Sequence, residues 1–192
     1  MKNVFGFTLA AAVTALCATG AQAAPVAYTL DPDHTIARFE VMHNHFSMHT
    51  GMFMKSAGKA VLDTAAKTGS VEVTIQTASF LTGHAFMEGV MKGKDFFNVE
   101  QFPAMTFKST RMIFSGDAPL AVEGELTLLG VTKSMTLSFT NFNCGQHPRS
   151  KKDQCGGNLA GALKRSDFGM KTFIPAVADD VRLNIQVEAF KD

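Results

Sequence analysis

Residues 181–189 read Val-Arg-Leu-Asn-Ile-Gln-Val-Glu-Ala, with an apolar side chain at every second position. Side chains of a β-strand point alternately to opposite faces, so this period predicts a strand with one dry face and one wet face. The same alternation recurs at 38–41, 71–76 and 135–140. Strands with a single apolar face are typical of antiparallel sheets. Turn-forming residues separate these segments, among them Pro32, Gly69, Gly116 and Gly130.

The pattern predicts about eight strands, with a further strand near 158–165. We expect the strands at 26–31, 34–43, 51–63, 69–77, 103–114, 119–129, 133–142 and 179–191. An antiparallel sheet of this size can close into an up-and-down barrel, which removes the sheet edges that would otherwise pair with other chains. The predicted fold class is therefore an all-β barrel.

Residues 84–94 interrupt the alternation. Phe86, Met87, Val90 and Met91 recur at spacings of one, three and four residues, which suits a short amphipathic helix. Gly89 weakens such a helix, so the helix must rest on another element. In a chain that is otherwise all strands, we expect it to form a lid over one end of the barrel.

The first 23 residues have the features of a secretory signal peptide. Lys2 provides a positive start, residues 4–18 are almost all apolar, and Ala21-Gln22-Ala23 fits a signal-peptidase site. Cleavage after Ala23 would leave residues 24–192 as one barrel domain in the periplasm. No later stretch approaches the ~20 apolar residues of a membrane helix, so an integral membrane protein is not expected.

The composition limits the partners and favours an apolar interior. Without Lys2, the chain has 17 basic and 17 acidic residues, and it has no basic stripe of the kind that binds nucleic acid. Seventeen Phe and 11 Met, with no Trp, indicate either a large solid core or the lining of an apolar hole. An eight-stranded barrel is compatible with both alternatives, because its interior can be filled by side chains or can hold one slender ligand.

Two cysteines, Cys144 and Cys155, remain after the leader. In an oxidising compartment they predict one disulfide around a short polar loop. A metal pair is the alternative, but the spacing of ten intervening residues is not that of zinc ligands. The sequence has no nucleophile elbow and no phosphate-binding glycine loop, so we expect neither an enzyme nor a cofactor.

The segment 42–54 is rich in Met and His, residue types that bind copper. If it is extended, Met42 and Met48 lie on one face while His43, His45 and His49 lie on the other. A site of mixed ligands would need a turn near Ser47. The alternatives are therefore a copper-handling segment, or one with His43 near a pocket and the other two histidines in a loop.

Two further polar groups have expected local roles. His34 follows Asp33 in a predicted turn, where we expect its side chain to bond the backbone. Arg165 and Asp167 are close enough in sequence for a surface ion pair, which normally contributes less than ~1 kcal/mol.

Several motifs resemble the YceI-like family, in family order over nearly the whole chain after residue 23. They include Leu30-Asp31-Pro32-Asp33-His34-Thr35, the GELTLLGVTK run at 124–133, and Arg165-Ser166-Asp167-Phe168-Gly169. The resemblance implies a lipocalin-like antiparallel barrel that binds a polyisoprenoid or another long-chain lipid for transport or storage. It also implies non-covalent binding without catalysis. Homodimers are common among proteins that resemble this one.

The expected ligand-binding residues fall into two groups. One is the apolar lining of a pocket, predicted as Phe39, Val41, Phe53, Phe80, Phe86, Met87, Met91, Phe97 and Phe107. The other comprises polar groups near a lipid headgroup, predicted as His43, His84 and Glu88. Where many family members place a charged helix, this chain has Phe86-Met87-Glu88-Gly89-Val90-Met91, which predicts a more apolar mouth.

Overall fold

The computed structural model describes residues 24–192. The predicted signal peptide and its cleavage site after Ala23 lie outside the described residues.

The described chain is built from β-strands, with one short α-helix and two 3₁₀ turns. The strands are β1 Val26–Leu30, β2 Ile36–His43, β3 Ser47–Phe53, β4 Ser56–Asp63, β5 Thr68–Gln76, β6 Phe80–Leu81, β7 Ala104–Ser115, β8 Ala118–Leu128, β9 Val131–Gln146, β10 Asp153–Lys164 and β11 Val177–Lys191. The helix α1 covers Ala85–Lys92, and the 3₁₀ turns cover Thr77–Ser79 and Arg165–Phe168.

Eight of the strands close into an antiparallel barrel. Their order is β1-β4-β5-β7-β8-β9-β10-β11, and β11 returns to β1 through the pairs Tyr28 with Lys191 and Leu30 with Ala189. The predicted all-β barrel with one short helix is therefore confirmed. No helix within residues 24–192 is long and apolar enough to cross a bilayer.

Three of the barrel strands continue past a bend as a second strand. β11 pairs first with β2, which places Ile36 opposite Gln186, and then with β1 at its C-terminal end. In the same way β3 leads into β4, and β6 follows β5. The sequence predicted one strand over 51–63, but it is broken at residues 54–55, where Met54 and Lys55 bond to the 3₁₀ turn of the neighbouring strand through Ser79.

Other boundaries differ because pairing extends further than the local pattern. β10 begins at Asp153 rather than near 158, since it pairs with β9 out to Gln146. β3 begins at Ser47, so His49 is in a strand rather than in a loop. The helix ends at Lys92, before the predicted 94, because Gly93 caps it through a bond from its N–H to the Val90 carbonyl.

The connections divide between two ends of the barrel. We call one the lid end; it carries residues 44–46, 82–103, 129–130 and 165–176, including α1. The other, which we call the hairpin end, carries the turns at 64–67, 116–117 and 147–152.

Candidate functional site

The half of the barrel interior towards the hairpin end contains an apolar cavity. Its volume is about 130 Å³. The apolar side chains of its wall come from strands all around the barrel, and include Leu30, Leu62, Ile75, Phe107, Leu137, Phe139 and Ile185. Such a wall binds by removing apolar surface from water, at about 25 cal/mol per Å².

Two hydroxyl groups in the cavity wall have different surroundings. Thr35 donates its hydroxyl hydrogen to the Glu188 carbonyl at 3.2 Å. Ser56 is only 4% exposed, yet its Oγ has no hydrogen-bond partner among the described residues. A buried hydroxyl without a partner is destabilising. Ser56 Oγ is therefore the wall atom that a polar group of a guest would satisfy.

The lid-end half of the interior is filled by an aromatic cluster, which comprises Phe39, Phe53, Phe80 and Phe97. The ring centroids of Phe53 and Phe97 are 5.0 Å apart, and those of Phe80 and Phe97 are 5.3 Å apart. Phe80 is 1% exposed. The cluster separates the cavity from the lid end, so one half of the interior is filled by side chains and the other half contains the cavity.

The cavity is smaller than a typical ligand pocket. Pockets for drug-sized ligands measure about 300–1,000 Å³, and an apolar cavity of about 150 Å³ holds a guest of benzene size. A long chain therefore needs more room than the 130 Å³ present. The adjoining aromatic cluster is the part of the interior whose rearrangement would lengthen the cavity.

The lid helix is held by the polar residues that were expected near a headgroup. His84 caps α1 by accepting a hydrogen bond from the Met87 N–H at 3.4 Å. Glu88 accepts from the N–H groups of Thr82 at 2.9 Å and Gly83 at 3.0 Å. The bond from Thr82, followed by that from Gly83, holds the pKa of Glu88 below its ordinary value. In this structure both side chains bond the backbone of the lid.

The predicted lining residues occupy three different places. Phe107 lines the cavity. Phe39, Phe53, Phe80 and Phe97 form the aromatic cluster. The remaining four are Val41, Met87 and Met91, which are half-buried, and Phe86, which is 74% exposed on the lid helix.

Sequence reasoning missed most of the cavity wall, although its signal was present. Val71, Val73 and Ile75 are the apolar half of one alternating strand, and Ile185, Val187 and Ala189 are the apolar half of another. Together with rings such as Phe107 and Phe139, these small or branched residues form the wall of the cavity. Because the sequence analysis chose mainly aromatic residues as the lining, four of its residues lie in the aromatic cluster and not in the cavity wall.

The Met/His-rich segment forms the β2–β3 hairpin. The rings of His43 and His49 stack with centroids 4.6 Å apart. Met42 pairs directly with Met48, so the thioethers lie on the face opposite to these imidazoles. His45 is in the turn. The hairpin therefore brings two histidines together but does not bring Met48 to them.

Within residues 24–192, one group of three or more His, Cys, Asp or Glu side chains has its possible ligand atoms within 4.8 Å of one another. It consists of Asp31, His34 and Glu188. His34 Nδ1 lies 2.7 Å from Asp31 Oδ2, so the imidazole bonds a carboxylate instead of the expected backbone group. This bond raises the pKa of His34. The Asp31 N–H also donates to the Glu188 carbonyl at 2.8 Å. The group ties the β1–β2 bend to β11.

Arg165 is buried, not paired with Asp167 at the surface as the sequence suggested. The residue is 4% exposed, and its guanidinium donates to four carbonyls, those of Met170, Thr172, Val177 and Ala178, at 2.8–3.2 Å. These carbonyls belong to the connection between β10 and β11 and to the start of β11. Arg165 therefore shapes the lid-end connection between β10 and β11.

The predicted disulfide between Cys144 and Cys155 is confirmed. The two cysteines face each other across β9 and β10, with Cα atoms 4.0 Å apart. The strands continue past it on both sides, so the turn itself covers only 147–152. Cys155 contributes to the cavity wall at the hairpin end.

The chain is similar to known proteins over almost its whole length. A YceI-like domain model matches residues 28–189. Protein YceI of Salmonella newport (strain SL254) is 34% identical over 190 residues, covering 97% of this chain and 96% of the relative.

Solved structures are similar over most of the chain. The Campylobacter jejuni YCEI protein superposes with a TM-score of 0.61 at 28% identity, covering 74% of this chain and 84% of that one. Burkholderia cenocepacia BcnA gives 0.65 at 24% identity, covering 83% and 98%. A polyisoprenoid binding domain from Saccharophagus degradans gives 0.63 at 15% identity, covering 87% and 99%. The last two likenesses concern the fold alone. From the domain match and the full-length relatives, the chain belongs to the YceI-like family.

Proposed function

We propose that the protein is a periplasmic carrier or store that holds one long-chain apolar or amphiphilic lipid, such as a polyisoprenoid, inside its barrel. The observation that carries the proposal is the apolar cavity enclosed by the eight strands. The similarity of the chain's fold to a structure described as a polyisoprenoid binding domain supports this class of ligand. The leader predicted at residues 1–23 supports the periplasm.

Binding in this proposal is non-covalent and is driven by apolar burial. Each methylene group removed from water contributes about 0.8 kcal/mol, so a chain of several isoprene units offsets the cost of rearranging the interior. The rearrangement involves the aromatic cluster, because Phe97 and its neighbours fill the rest of the lumen along the barrel axis. The proposed role is binding and not catalysis.

Native mass spectrometry of the freshly purified mature protein tests the proposal. We expect an adduct of one lipid mass per chain, which organic extraction releases for identification. Ala60→Phe adds a ring to the cavity wall and should remove the adduct, while Leu120→Phe changes an exposed position on β8 and should retain it. Wild-type protein that carries no stoichiometric lipid, and takes up none from a lipid extract, contradicts the proposal.

A second candidate function, metal handling, rests on the stacked imidazoles of His43 and His49 with His45 in the adjoining turn. Titration with cupric ions tests it. Stoichiometric micromolar binding that is lost in His43→Gln and His49→Gln would support it, and binding that persists in both variants would contradict it.

A further inference from the structure

The outer surface of the barrel carries a polar groove across β9, β10 and β11, in the half towards the hairpin end. Its volume is about 410 Å³, against about 130 Å³ for the interior cavity. Volumes of about 300–1,000 Å³ are typical of sites for small ligands. We call it the amide groove, because six carboxamide side chains line it: Asn141, Asn143, Gln146, Gln154, Asn158 and Gln186.

The strand register brings amides from three strands together. Asn158 on β10 pairs with Asn141 on β9 and with Gln186 on β11, so three carboxamides lie side by side across the sheet. Residues at even spacing along a strand share a face, so Gln154 faces the same side of β10 as Asn158. The amides are therefore presented by backbone that the barrel holds in place.

Two glycines keep the amide groove open. Gly156 pairs with Asn143 on one side and with Glu188 on the other. A Cβ atom added to Gly156 would lie 3.0 Å from Cγ of Glu188, so the glutamate side chain occupies the space that another side chain would need. Gly145 also lines the groove, and nothing lies within 4 Å of a Cβ atom added to it. A larger residue at this second position would therefore fill part of the groove without overlapping the barrel.

The amides retain hydrogen-bonding capacity for a ligand. Asn141 Oδ1 accepts from the Asn158 N–H at 3.1 Å, and Gln186 Nε2 donates to the His34 carbonyl at 3.3 Å. Each of these bonds uses one end of a carboxamide, which offers two donor hydrogens and two acceptor lone pairs in all. Gln154 Oε1 is buried and has no partner among the described residues. A buried acceptor without a donor is destabilising, so this amide in particular favours a ligand that brings a donor.

The amide groove is almost uncharged. Among the described residues that line it, Glu188 is the only charged one. The charges around it are of both signs, since Asp31 and His34 adjoin Glu188 and the turn at 147–152 carries three basic residues. A phosphate or a nucleic acid needs a basic site, so neither is favoured. The one apolar residue of the lining, Val187, also lines the interior cavity, so the groove offers little surface to a lipid.

We propose that the amide groove binds a neutral oligosaccharide of a few pyranose rings. Each hydroxyl group of a sugar both donates and accepts hydrogen bonds, and a planar carboxamide presents a donor and an acceptor side by side, so the two match. The Glu188 carboxylate adds two acceptor oxygens to the same surface. The groove lies on the outer face of the sheet and the lipid cavity on the inner face. The proposal therefore goes beyond the lipid-carrier function and does not depend on it.

NMR of the side-chain NH₂ groups tests the binding directly, because asparagine and glutamine amides give signals of their own. The mature protein is titrated with cellotriose, maltotriose and triacetylchitotriose, each to about 10 mM, which detects dissociation constants in the millimolar range. We expect at least one of the three sugars to cause saturable shifts of the Asn143 and Asn158 side-chain signals. The signal of Asn184, which is exposed on the same face of β11 but does not line the groove, should not move.

Variants of the groove locate the bound sugar. Asn143→Ala combined with Asn158→Ala should weaken binding by about tenfold or more, because amides that contact the sugar are lost. Both side chains are exposed, so the fold does not depend on them. Gly145→Leu should abolish binding by filling the groove, and Asn184→Ala is the matched control that should leave it unchanged. Circular dichroism melts confirm that the variants are folded.

Three results would overturn the saccharide proposal. One is the absence of saturable shifts with all three sugars. Another is binding that persists in Gly145→Leu and in the double alanine variant, since the sugar would then lie elsewhere. The third is binding of only an anionic sugar, trigalacturonate, that is lost at about 0.5 M salt, since this would identify the basic turn at 147–152 as the site. Lipid content measured by native mass spectrometry is independent of all three, so a protein that carries lipid but binds no sugar would retain the carrier function and lose only this inference.

Discussion

Phe39 lies against the backbone of Gly51 on the neighbouring strand, so closely that a Cβ atom added to Gly51 would be 2.5 Å from Phe39 Cζ. The same Cβ would be 2.6 Å from Cε2 of Phe80. Glycine is unfavourable within a strand, but here it leaves the space into which two rings of the aromatic cluster pack. The cluster that closes the lid-end half of the barrel therefore depends on a missing side chain.

Gly51→Ala should destabilise the protein by about 1–3 kcal/mol, because the added methyl overpacks the aromatic cluster. Urea unfolding followed by circular dichroism measures the change. Gly89→Ala is the matched control, since nothing lies within 4 Å of its added Cβ and alanine favours a helix. It should be neutral or stabilising by up to about 1 kcal/mol. Equal stability of the Gly51 variant and the wild type would contradict the packing.

Arg165→Lys should cost about 2–4 kcal/mol of stability although the charge is kept. A lysine has no planar fork, so it cannot reach the carbonyls of Thr172, Val177 and Ala178 together, and charged hydrogen bonds of this kind contribute about 1.5–3 kcal/mol each. The control is Arg111→Lys, at an exposed pair with Glu123, where we expect little change. A midpoint of urea unfolding equal to that of the wild type would show that the β10–β11 connection does not need the guanidinium.

The case of Arg165 shows where the sequence stops being informative. Its guanidinium is bonded to four carbonyls of the β10–β11 connection and the start of β11, and no local sequence pattern predicts those bonds. The bend at residues 54–55 is similar, because it depends on Ser79 in the 3₁₀ turn that follows β5. By contrast, the alternation at 181–189 was sufficient to predict a strand and its inward face, since side-chain direction in a strand is a local property.

The candidate site was predictable to the same degree. The alternation at 38–41 correctly turns Phe39 inwards, but it cannot tell whether inward rings meet one another or surround a space. That outcome depends on residues across the barrel, including Gly51. The cavity lies towards the hairpin end, where its wall combines small and branched side chains such as Ala60 and Val73 with rings such as Phe107.

Stability should depend on pH through His34 and Asp31. The hydrogen bond to Asp31 raises the pKa of His34, so the contribution of His34 is complete below its ordinary value of about 6.5 and is lost as the pH rises through the folded-state value. Burial alone would raise the pKa of Asp31, but the bonds from His34 and Asp33 outweigh it and the pKa is lowered. The pair therefore persists down to the range in which Asp31 becomes protonated.

The measurement compares wild type with His34→Gln by urea unfolding at about pH 5.5 and about pH 8.5. The stability lost on substitution should be larger at the lower pH. Asp31→Asn should remove the same pH-dependent part, and the double variant should add nothing further to it. An equal loss at both pH values would mean that the imidazole acts only through its neutral form.

Ser56→Ala should raise the stability of the lipid-free protein by about 1 kcal/mol, because the serine hydroxyl is buried in the cavity wall without a partner. Thr35→Val, in the same wall, is the matched control and should lower stability by about 1 kcal/mol, since the Thr35 hydroxyl donates to the Glu188 carbonyl. Urea unfolding, after bound lipid has been removed with organic solvent, measures the two changes in stability, which should have opposite signs. If both substitutions are equally destabilising, an ordered water already satisfies Ser56 and the hydroxyl is structural. If the signs differ, the hydroxyl costs stability in the empty barrel and is available to a guest, so phenol should bind the wild type several-fold better than Ser56→Ala while benzene should bind both alike.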